Sequence, residues 1–176
     1  MLAMTIYLMG LRGSGKSTVG RLLAMRLAGD FVDLDDLTPG VLGSATAADA
    51  LRQHGEPAFR QAERKALDDP RVLAAAVVAL GGGTPTAPGA QGELQARAAR
   101  GDRLIYLCAS PATLRKNLAK TDVTTRPSLT GAHPLDEIEV VLKRRDPIFR
   151  ALAATIIEID EMTPEQVVSL INRPSK

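Results

Sequence analysis

The segment with the clearest chemical meaning is a glycine-rich stretch that ends in a lysine and two hydroxyl residues. Gly10-Leu-Arg-Gly-Ser-Gly-Lys16-Ser17 has the spacing G-x-x-x-x-G-K-[ST], and it lies between an apolar run and an amphipathic helical pattern. Glycines let successive N–H groups turn towards one phosphate, the start of the helix adds its positive end, and Lys16 adds a cation. The stretch therefore predicts a phosphate-binding loop for a nucleoside triphosphate.

Within this loop, residues 10–18, Ser17 is the predicted ligand of Mg²⁺. Arg12 is expected to be a solvated side chain. The predicted phosphate-binding set is Gly10, Gly13, Ser14, Gly15, Lys16, Ser17 and Thr18.

Two carboxylates follow the second apolar run, Phe31-Val-Asp33-Leu-Asp35. Ligands of parallel α/β sheets bind at the carboxyl ends of the strands. Alternation would give Asp33 and Asp35 a common direction if the strand continued that far. One could help to hold hydrated Mg²⁺ while the other meets an acceptor hydroxyl. Asp36 is assigned to a helix cap or turn.

Several other features have no specific meaning when each is taken alone. Arg60 and Glu63 stand three residues apart on one helix face, a spacing that suggests a surface ion pair. Gly81-Gly82-Gly83 follows the third apolar run and offers a backbone that a ligand can approach closely. Arg126 and Arg145, in isolation, are more often solvated charges than ligand contacts.

The elements that must position these residues alternate along the chain. Apolar runs suited to buried strands lie at 5–9, 31–33, 76–80, 103–108 and 155–159. Helical patterns lie at 16–27, 56–67, 91–100, 111–120, 136–153 and 163–172. This alternation predicts an α/β fold with a parallel sheet covered on both faces. Residues 38–49 and 121–133 escape the pattern and are expected to form mobile segments over a site.

Composition narrows the range of partners. The 176 residues, 45% of them hydrophobic, fit one domain. A net charge of +2 and 3% aromatic residues supply neither a broad basic face nor stacking platforms, so no nucleic-acid partner is expected. No apolar run approaches the roughly 20 residues that cross a bilayer, and residues 1–9 read as a strand, not a signal peptide. We expect a cytoplasmic protein without a membrane partner, and a monomer because heptads are absent.

The remaining reactive side chains are expected to be inert. Cys108 lies in an apolar run, where a buried thiol is the ordinary outcome. His54 and His133 have no spaced partner for a metal site and are assigned to the surface. A guanine-binding Asn-Lys-x-Asp signature and a Walker-B acid followed by a glutamine switch are both absent, which disfavours a GTPase or a mechanical ATPase.

Taken together and in order, these motifs resemble the shikimate kinase family over nearly the whole chain. The matching pieces are the phosphate loop, Asp33-x-Asp35, Gly55-Glu56-x-x-Phe59-Arg60-x-x-Glu63, the triple glycine, Arg126-Pro127 and Arg145-x-Pro147. Gluconate kinases share the loop and the acidic second strand, but not the Gly-Glu-x-x-Phe-Arg segment with the triple glycine. The resemblance implies a three-layer αβα P-loop kinase fold with a five-stranded parallel sheet. It further implies a single domain over residues 1–176, an acceptor-binding subdomain over about 33–63 and a lid over about 121–133.

The resemblance also implies roles on the acceptor side. Asp35 would grip the shikimate hydroxyls, and Arg60 and Arg145 would hold its carboxylate, a planar anion that suits a guanidinium fork. Glu63 would orient Arg60. Gly81, Gly82 and Gly83 would line the ring.

On the nucleotide side, the resemblance implies ATP with Mg²⁺. Asp33 and Ser17 would serve the metal, and Lys120 stands near the position where the family commonly stacks an arginine on adenine. Arg126 would be the lid arginine that closes on the transferred phosphoryl group. Lys16, Asp35 and Arg126 are thus the expected catalytic residues.

The expected reaction is transfer of the γ-phosphoryl group of MgATP to the 3-hydroxyl of shikimate. Two alternatives stay open at this point. One is a kinase of another hydroxy acid, such as gluconate or quinate, because Ser128 replaces an apolar residue usual in the family's lid. The other is a nucleotide-binding regulator without catalysis.

Overall fold

A five-stranded, all-parallel sheet forms the centre of the molecule. The computed structural model describes residues 4–120 and 137–172. The strands are β1 (Ile6–Met9), β2 (Phe31–Asp33), β3 (Val77–Ala79), β4 (Arg103–Cys108) and β5 (Thr155–Glu158), and their order in the sheet is β2-β3-β1-β4-β5. All five lie within the predicted apolar runs, so the predicted α/β class and parallel sheet are confirmed.

Helices connect these strands. They are α1 (Lys16–Arg26), α2 (Leu34–Val41), α3 (Ala47–Ala66), α4 (Pro70–Ala74), α5 (Ala90–Ala99), α6 (Pro111–Leu118), α7 (Ile138–Leu152) and α8 (Pro164–Ile171), with a short 3₁₀ turn at Thr84–Thr86. Several begin at a side chain that accepts a hydrogen bond from a backbone N–H of the first turn, which satisfies one of the donors that a helix start leaves open. These capping residues are Asp33, Thr46, Asp69, Ser110 and Thr163.

The prediction of a loose segment at residues 38–49 is wrong for most of its length. Helix α2 runs to Val41, and α3 begins at Ala47 after a connection of five residues. The threonine at 46 caps α3, and the alanines that follow have high helix propensity. Gly55 has φ 76° and ψ 168°, so α3 is two helical pieces separated by a kink. The second piece corresponds to the predicted helix 56–67.

The core lies on both faces of the sheet. Every residue of β1 and β3 is buried, and so is β4 from Leu104 onwards. Phe149 of α7 is fully buried against Tyr106 of β4, with ring centroids 5.1 Å apart. Among the described residues, no helix has both the length and the apolar character needed to cross a membrane.

The sheet order brings the predicted site segments to one edge. Neighbouring strands β2, β3 and β1 end at Asp33, Ala79 and Met9 respectively, and each runs into a segment singled out by sequence. Because the strands are parallel, all three carboxyl ends lie at the same edge of the sheet. The carboxylates, the triple glycine and the phosphate loop therefore meet.

Candidate functional site

The phosphate loop joins β1 to α1 through glycines in the left-handed region. Gly13 and Gly15 have φ of 85° and 79°. The side-chain amide of Asn117 in α6 donates to the carbonyl of Gly13 at 2.9 Å. A Cβ at Gly13 would lie 3.0 Å from Leu118 Cγ, so the loop is packed directly on α6. The loop is thus held in shape by a neighbouring helix.

Lys16 and Ser17 open α1 and face different partners. The Lys16 ammonium donates to the carbonyls of Gly10 and Leu11 at 2.9 and 3.0 Å. Ser17 Oγ donates to Asp33 Oδ2 at 2.5 Å. The predicted proximity of Ser17 and Asp33 is therefore present, and two hard oxygen donors lie side by side at the start of the helix.

Asp33 and Asp35 do not share the direction that alternation would have given them. The strand ends at Asp33, whose Oδ1 accepts from the Asp35 N–H at 3.1 Å and caps α2. Asp35 lies in the first turn of that helix, where a Cβ at Gly81 would be 2.6 Å from its Oδ1. Asp36 is not the cap that it was expected to be, and it lines a cavity with Asp35. The two predicted carboxylates thus serve neighbouring regions, the phosphate loop and this cavity.

Arg60 and Glu63 form a buried ion pair, not the surface pair suggested by spacing alone. Arg60 Nη1 donates to Glu63 Oε2 at 2.6 Å, and the Glu63 side chain is 2% exposed. Glu63 also accepts from Thr84 Oγ1 at 3.2 Å, while Glu56 contacts the outer side of Arg60 at 3.0 Å. Burial raises the pKa of the Glu63 carboxyl, and the nearby Arg60 offsets only part of this. The guanidinium is therefore fixed from two sides.

The triple glycine packs against three parts of the site at once. A Cβ at Gly81 would approach Asp35 and Glu63 within 2.7 Å, and a Cβ at Gly83 would lie 1.9 Å from Arg60 Nη1. A Cβ at Gly82 would lie 3.4 Å from the backbone nitrogen of Arg12, in the phosphate loop. Side chains at 81 and 83 would displace the charged groups, which is the physical reason for glycine there.

Arg145 reaches this region from α7. Its Nη1 donates to the carbonyl of Gly82 at 2.8 Å. Burial lowers the pKa of Arg145 to about 10, and the positive charges of Arg60 and Arg12 contribute to the shift. Arg145 therefore still carries its charge at neutral pH, close to another cation, an arrangement that favours binding of an anion.

A cavity of about 350 Å³ collects these residues. Its charged lining consists of Arg12, Asp35, Asp36, Arg60, Glu63, Glu137 and Arg145, and its apolar wall includes Leu11, Leu51, Phe59, Ile138 and Val141. The cavity thus combines two partly buried guanidinium groups with carboxylates and an apolar side, next to the phosphate loop. This arrangement suits a small hydroxylated acid with an apolar ring face.

The phosphate loop fits a nucleotide and its metal. Ser14 Oγ is buried and has no hydrogen-bond partner within residues 4–120 and 137–172, so it has capacity for a phosphate oxygen. The first N–H groups of α1 have no intrahelical acceptor by position. No three acidic, histidine or cysteine side chains cluster as a metal site in the described parts of the chain. Ser17 and Asp33 thus suit Mg²⁺ that keeps water ligands and arrives with phosphates.

Arg12 corrects the sequence prediction. It was expected to be solvated, but its side chain is 18% exposed, lines the cavity and lies 3.6 Å from Glu137 Oε1. Glu137, which is 4% exposed, was missed as well, and its place just before α7 gives no signal in the sequence. Asn117, which holds the phosphate loop, also went unrecognised because its contact depends on the packing of α6.

Lys120, His54 and Cys108 do not line this cavity. Lys120 is exposed just beyond the end of α6. His54 is exposed as expected, although it lies in a helix and not in a loop. Cys108 is buried. The predicted lid at 121–133 lies outside the described residues. It includes Arg126, Ser128 and His133, whose predicted roles stay predictions.

The sheet order, the phosphate loop opening α1 and the adjoining charged cavity define a P-loop protein of the kinase fold class. A sequence profile of the shikimate kinase family matches residues 12–173. The shikimate kinase of Oleidesulfovibrio alaskensis is 37% identical over 154 residues, which is 87% of each chain. Shikimate kinase 2 of an Enterobacter species is 38% identical, covering 94% of this chain and 92% of the relative.

Solved structures agree with the sequence comparison. The structure of shikimate kinase from Acinetobacter baumannii in complex with shikimate has a TM-score of 0.84 and 30% sequence identity. The match covers 96% of this chain and 90% of that one. The chain belongs to the shikimate kinase family, as its motifs predicted.

Proposed function

We propose that this protein transfers the γ-phosphoryl group of ATP to the 3-hydroxyl of shikimate, giving shikimate 3-phosphate and ADP. The observation that carries this proposal is the convergence of Arg60, Arg145 and Asp35 in one cavity beside the phosphate loop. An acceptor for this cavity needs a carboxylate for the arginines and hydroxyls for the aspartate, which is the chemistry of shikimate. The reaction would belong to aromatic amino acid biosynthesis.

The two arginines would hold the acceptor carboxylate. Arg60 is fixed by Glu63 at 2.6 Å and Arg145 by the Gly82 carbonyl at 2.8 Å, so both guanidinium groups are positioned before the acceptor enters. An anion between two partly buried cations offsets their mutual repulsion, and a guanidinium fork fixes a planar carboxylate in orientation. Binding therefore orients the ring before the chemical step.

Asp35 would position the reacting hydroxyl. Its carboxylate lies beside Gly81 and lines the cavity, whose wall also includes Leu11 and Arg12 of the phosphate loop. The hydroxyl can donate to this carboxylate, which directs an oxygen lone pair towards the phosphoryl group and can take up the proton. Because phosphoryl transfer has a loose transition state, we expect orientation to matter more than the basicity of Asp35.

The phosphate loop, Lys16, Ser17 and Asp33 would hold MgATP. Mg²⁺, when bound, neutralises charge on the phosphate oxygens. Lys16 adds a cation that can leave its loop carbonyls, and the N–H groups of the helix start add donors. Arg126 would add charge stabilisation from the lid, and Lys120 would lie near the adenine.

The proposal extends to the assembly and location of the enzyme. It would act as a cytoplasmic monomer on small molecules, with residues 33–63 as the acceptor-binding subdomain and residues 121–133 as the lid. Closure of such a lid would exclude water, which otherwise competes for the phosphoryl group.

Coupled ADP release tests the reaction. Wild type and Asp35→Asn would be assayed with MgATP and shikimate, gluconate, quinate or no acceptor, and Asp30→Asn would serve as the control because Asp30 is exposed outside the cavity. We expect turnover that depends on shikimate, is largely lost in Asp35→Asn and is retained in the control.

Other outcomes would change the conclusion. Turnover with gluconate or quinate alone would keep the kinase and change its acceptor. An absence of ADP release with every acid, in a protein that still binds ATP, would favour the nucleotide-binding regulator.

A further inference from the structure

Asn117 of α6 fixes a turn of the phosphate loop from outside the loop. Its side-chain amide donates to the carbonyl of Gly13 at 2.9 Å, although the two residues are 104 positions apart in the chain. A trans peptide is planar and its C=O and N–H point in opposite directions, so this hydrogen bond also sets the direction of the Ser14 N–H. That N–H donates to the carbonyl of Leu11 at 3.1 Å. One side-chain amide therefore supports the turn formed by residues 11–14.

The same turn carries an acceptor for Lys16. The carbonyl of Leu11 accepts from the Lys16 ammonium at 3.0 Å, and the carbonyl of Gly10 accepts from it at 2.9 Å. Under the proposed function, Lys16 turns towards the phosphates of ATP, and an N–H that turns from a carbonyl to a phosphate oxygen no longer holds the loop. Nucleotide binding therefore weakens this internal support of the loop.

The contact made by Asn117 is compatible with bound phosphate. Carbonyl and phosphate oxygens are both acceptors, so the amide engages a group on Gly13 that a phosphate cannot use. Phosphates require the backbone N–H groups of the loop, and the Nδ2 donor of Asn117 does not compete for them. Asn117 can therefore keep its hold on the loop while Lys16 changes partners.

Helix α6 gives Asn117 a fixed base. Leu114 and Leu118 are 1% and 4% exposed and belong to the core, and Ser110 caps the start of the helix. A Cβ on Gly13 would lie 3.0 Å from both the Leu114 carbonyl oxygen and Leu118 Cγ, so this face of α6 packs directly on the loop. Asn117 lies three residues after Leu114, a spacing that places both on the same side of the helix.

We propose that Asn117 is a positioning residue for the nucleotide, and that it holds the phosphate loop in its phosphate-binding shape while Lys16 is engaged with ATP. This inference rests on the proposed function and adds a residue that contributes more with nucleotide bound than without it. Asn117 acts through the Gly13 carbonyl and does not line the acceptor cavity. Its loss should therefore weaken nucleotide binding and leave acceptor binding unchanged. A contact that stabilised the free and bound proteins equally would affect folding but not affinity.

The test compares Asn117→Leu with Asn172→Leu, the same replacement at an exposed position at the end of α8. Leucine lacks the amide and is a better helix former than asparagine, so α6 should not lose helix propensity. MgADP would be titrated calorimetrically into each protein, and KM would be measured for ATP and for shikimate. In Asn117→Leu we expect Kd for MgADP and KM for ATP to rise about 3- to 10-fold. KM for shikimate should change less than about twofold, and Asn172→Leu should behave as wild type.

Thermal unfolding and a second variant complete the test. A lower unfolding temperature without nucleotide, together with an unchanged Kd for MgADP, would show a purely structural contact and overturn the inference. Equal rises in KM for ATP and for shikimate would also overturn it. Asn117→Asp keeps the shape of the side chain but removes the N–H donor, so wild-type affinity for MgADP in this variant would contradict the inference even if Asn117→Leu did not fold.

The outcome for wild type separates this inference from the proposed function. If wild type binds MgADP and phosphorylates shikimate while the Asn117 variants match it, only the inference fails. If wild type binds no MgADP, the proposed function fails and the inference fails with it.

Discussion

Replacing Gly83 with alanine tests whether the Arg60 guanidinium must lie against bare backbone for the acceptor to bind. A Cβ at this position would lie 1.9 Å from Arg60 Nη1 and 2.5 Å from its Cζ. Cβ atoms essentially never approach another atom within 3.0 Å, so the guanidinium must move by more than about 1 Å. The end of an arginine side chain can move, but here it is held to a buried carboxylate.

The expected magnitude follows from that carboxylate. The Arg60 and Glu63 side chains are 11% and 2% exposed, and separating them leaves a buried acceptor poorly satisfied, at about 1–3 kcal/mol of folding stability. The displaced guanidinium would also lose the contact with the acceptor carboxylate that we propose for it, a charged hydrogen bond of about 1.5–3 kcal/mol. We therefore expect KM for shikimate to rise about 10- to 100-fold. The change in kcat should be smaller, since Arg60 would contact the carboxylate and not the reacting hydroxyl.

The assay is steady-state ADP release with varied shikimate and then varied ATP, beside thermal unfolding. Gly92→Ala is the matched control: Gly92 lies in α5, a Cβ there would meet no atom within 4 Å, and alanine should stabilise that helix by about 1 kcal/mol or less. A folded Gly83→Ala enzyme with KM for shikimate within about threefold of wild type would refute the reasoning. So would a full additional loss when Gly83→Ala is introduced into Arg60→Lys, because two changes at one contact should not be additive.

Three further predictions follow from other contacts. Asp33→Asn should raise the Mg²⁺ requirement in a metal titration because it weakens the oxygen pair with Ser17 at 2.5 Å, and an unchanged requirement would argue against a metal role. KM for shikimate should rise as pH passes about 10, where Arg145 loses its proton; in Arg145→Lys the rise should begin at a lower pH, because the ordinary lysine pKa of about 10.4 lies below that of arginine and burial lowers it as well. A pH profile shared by both enzymes would contradict this. Tyr106→Phe removes the O–H that donates to Asp146 at 2.9 Å, next to Arg145, so it should raise KM for shikimate several-fold with little change in kcat. A fall in kcat alone would contradict this positioning role.

The strands could be predicted from sequence because each is a short apolar run between turn signals. Buried parallel strands need apolar side chains on both faces, so 76–80 and 103–108 are recognisable without knowledge of their neighbours. The helix starting at Leu34 was not recognisable in the same way. Its first turn is acidic and its last turn contains Pro39 and Gly40, a composition typical of a turn, and only the structure shows that Asp33 caps a helix here.

The candidate site likewise contains some residues that could be predicted from the sequence and others that could not. The phosphate loop is a contiguous motif whose chemistry depends on local backbone geometry, so Lys16 and Ser17 could be assigned from spacing alone. Arg60, Glu63 and Arg145 have spacings common on helix surfaces, and in the sequence only the family resemblance indicates roles for them. Arg12 was assigned wrongly because nothing near it in sequence indicates the buried Glu137 that it faces.

The sequence by itself thus determined the fold class, the phosphate loop and the family, since each depends on local patterns or on motifs in a fixed order. Only the tertiary structure decided which charges share one cavity and how they are paired. The strand order β2-β3-β1 brings the ends of three strands together, and α7 crosses the same region with Arg145. Arg60 and Glu63 have a spacing that suggests surface charges, but in the fold they form an ion pair that is largely shielded from solvent. Burial depends on contacts between residues far apart in the chain, and no local pattern records them.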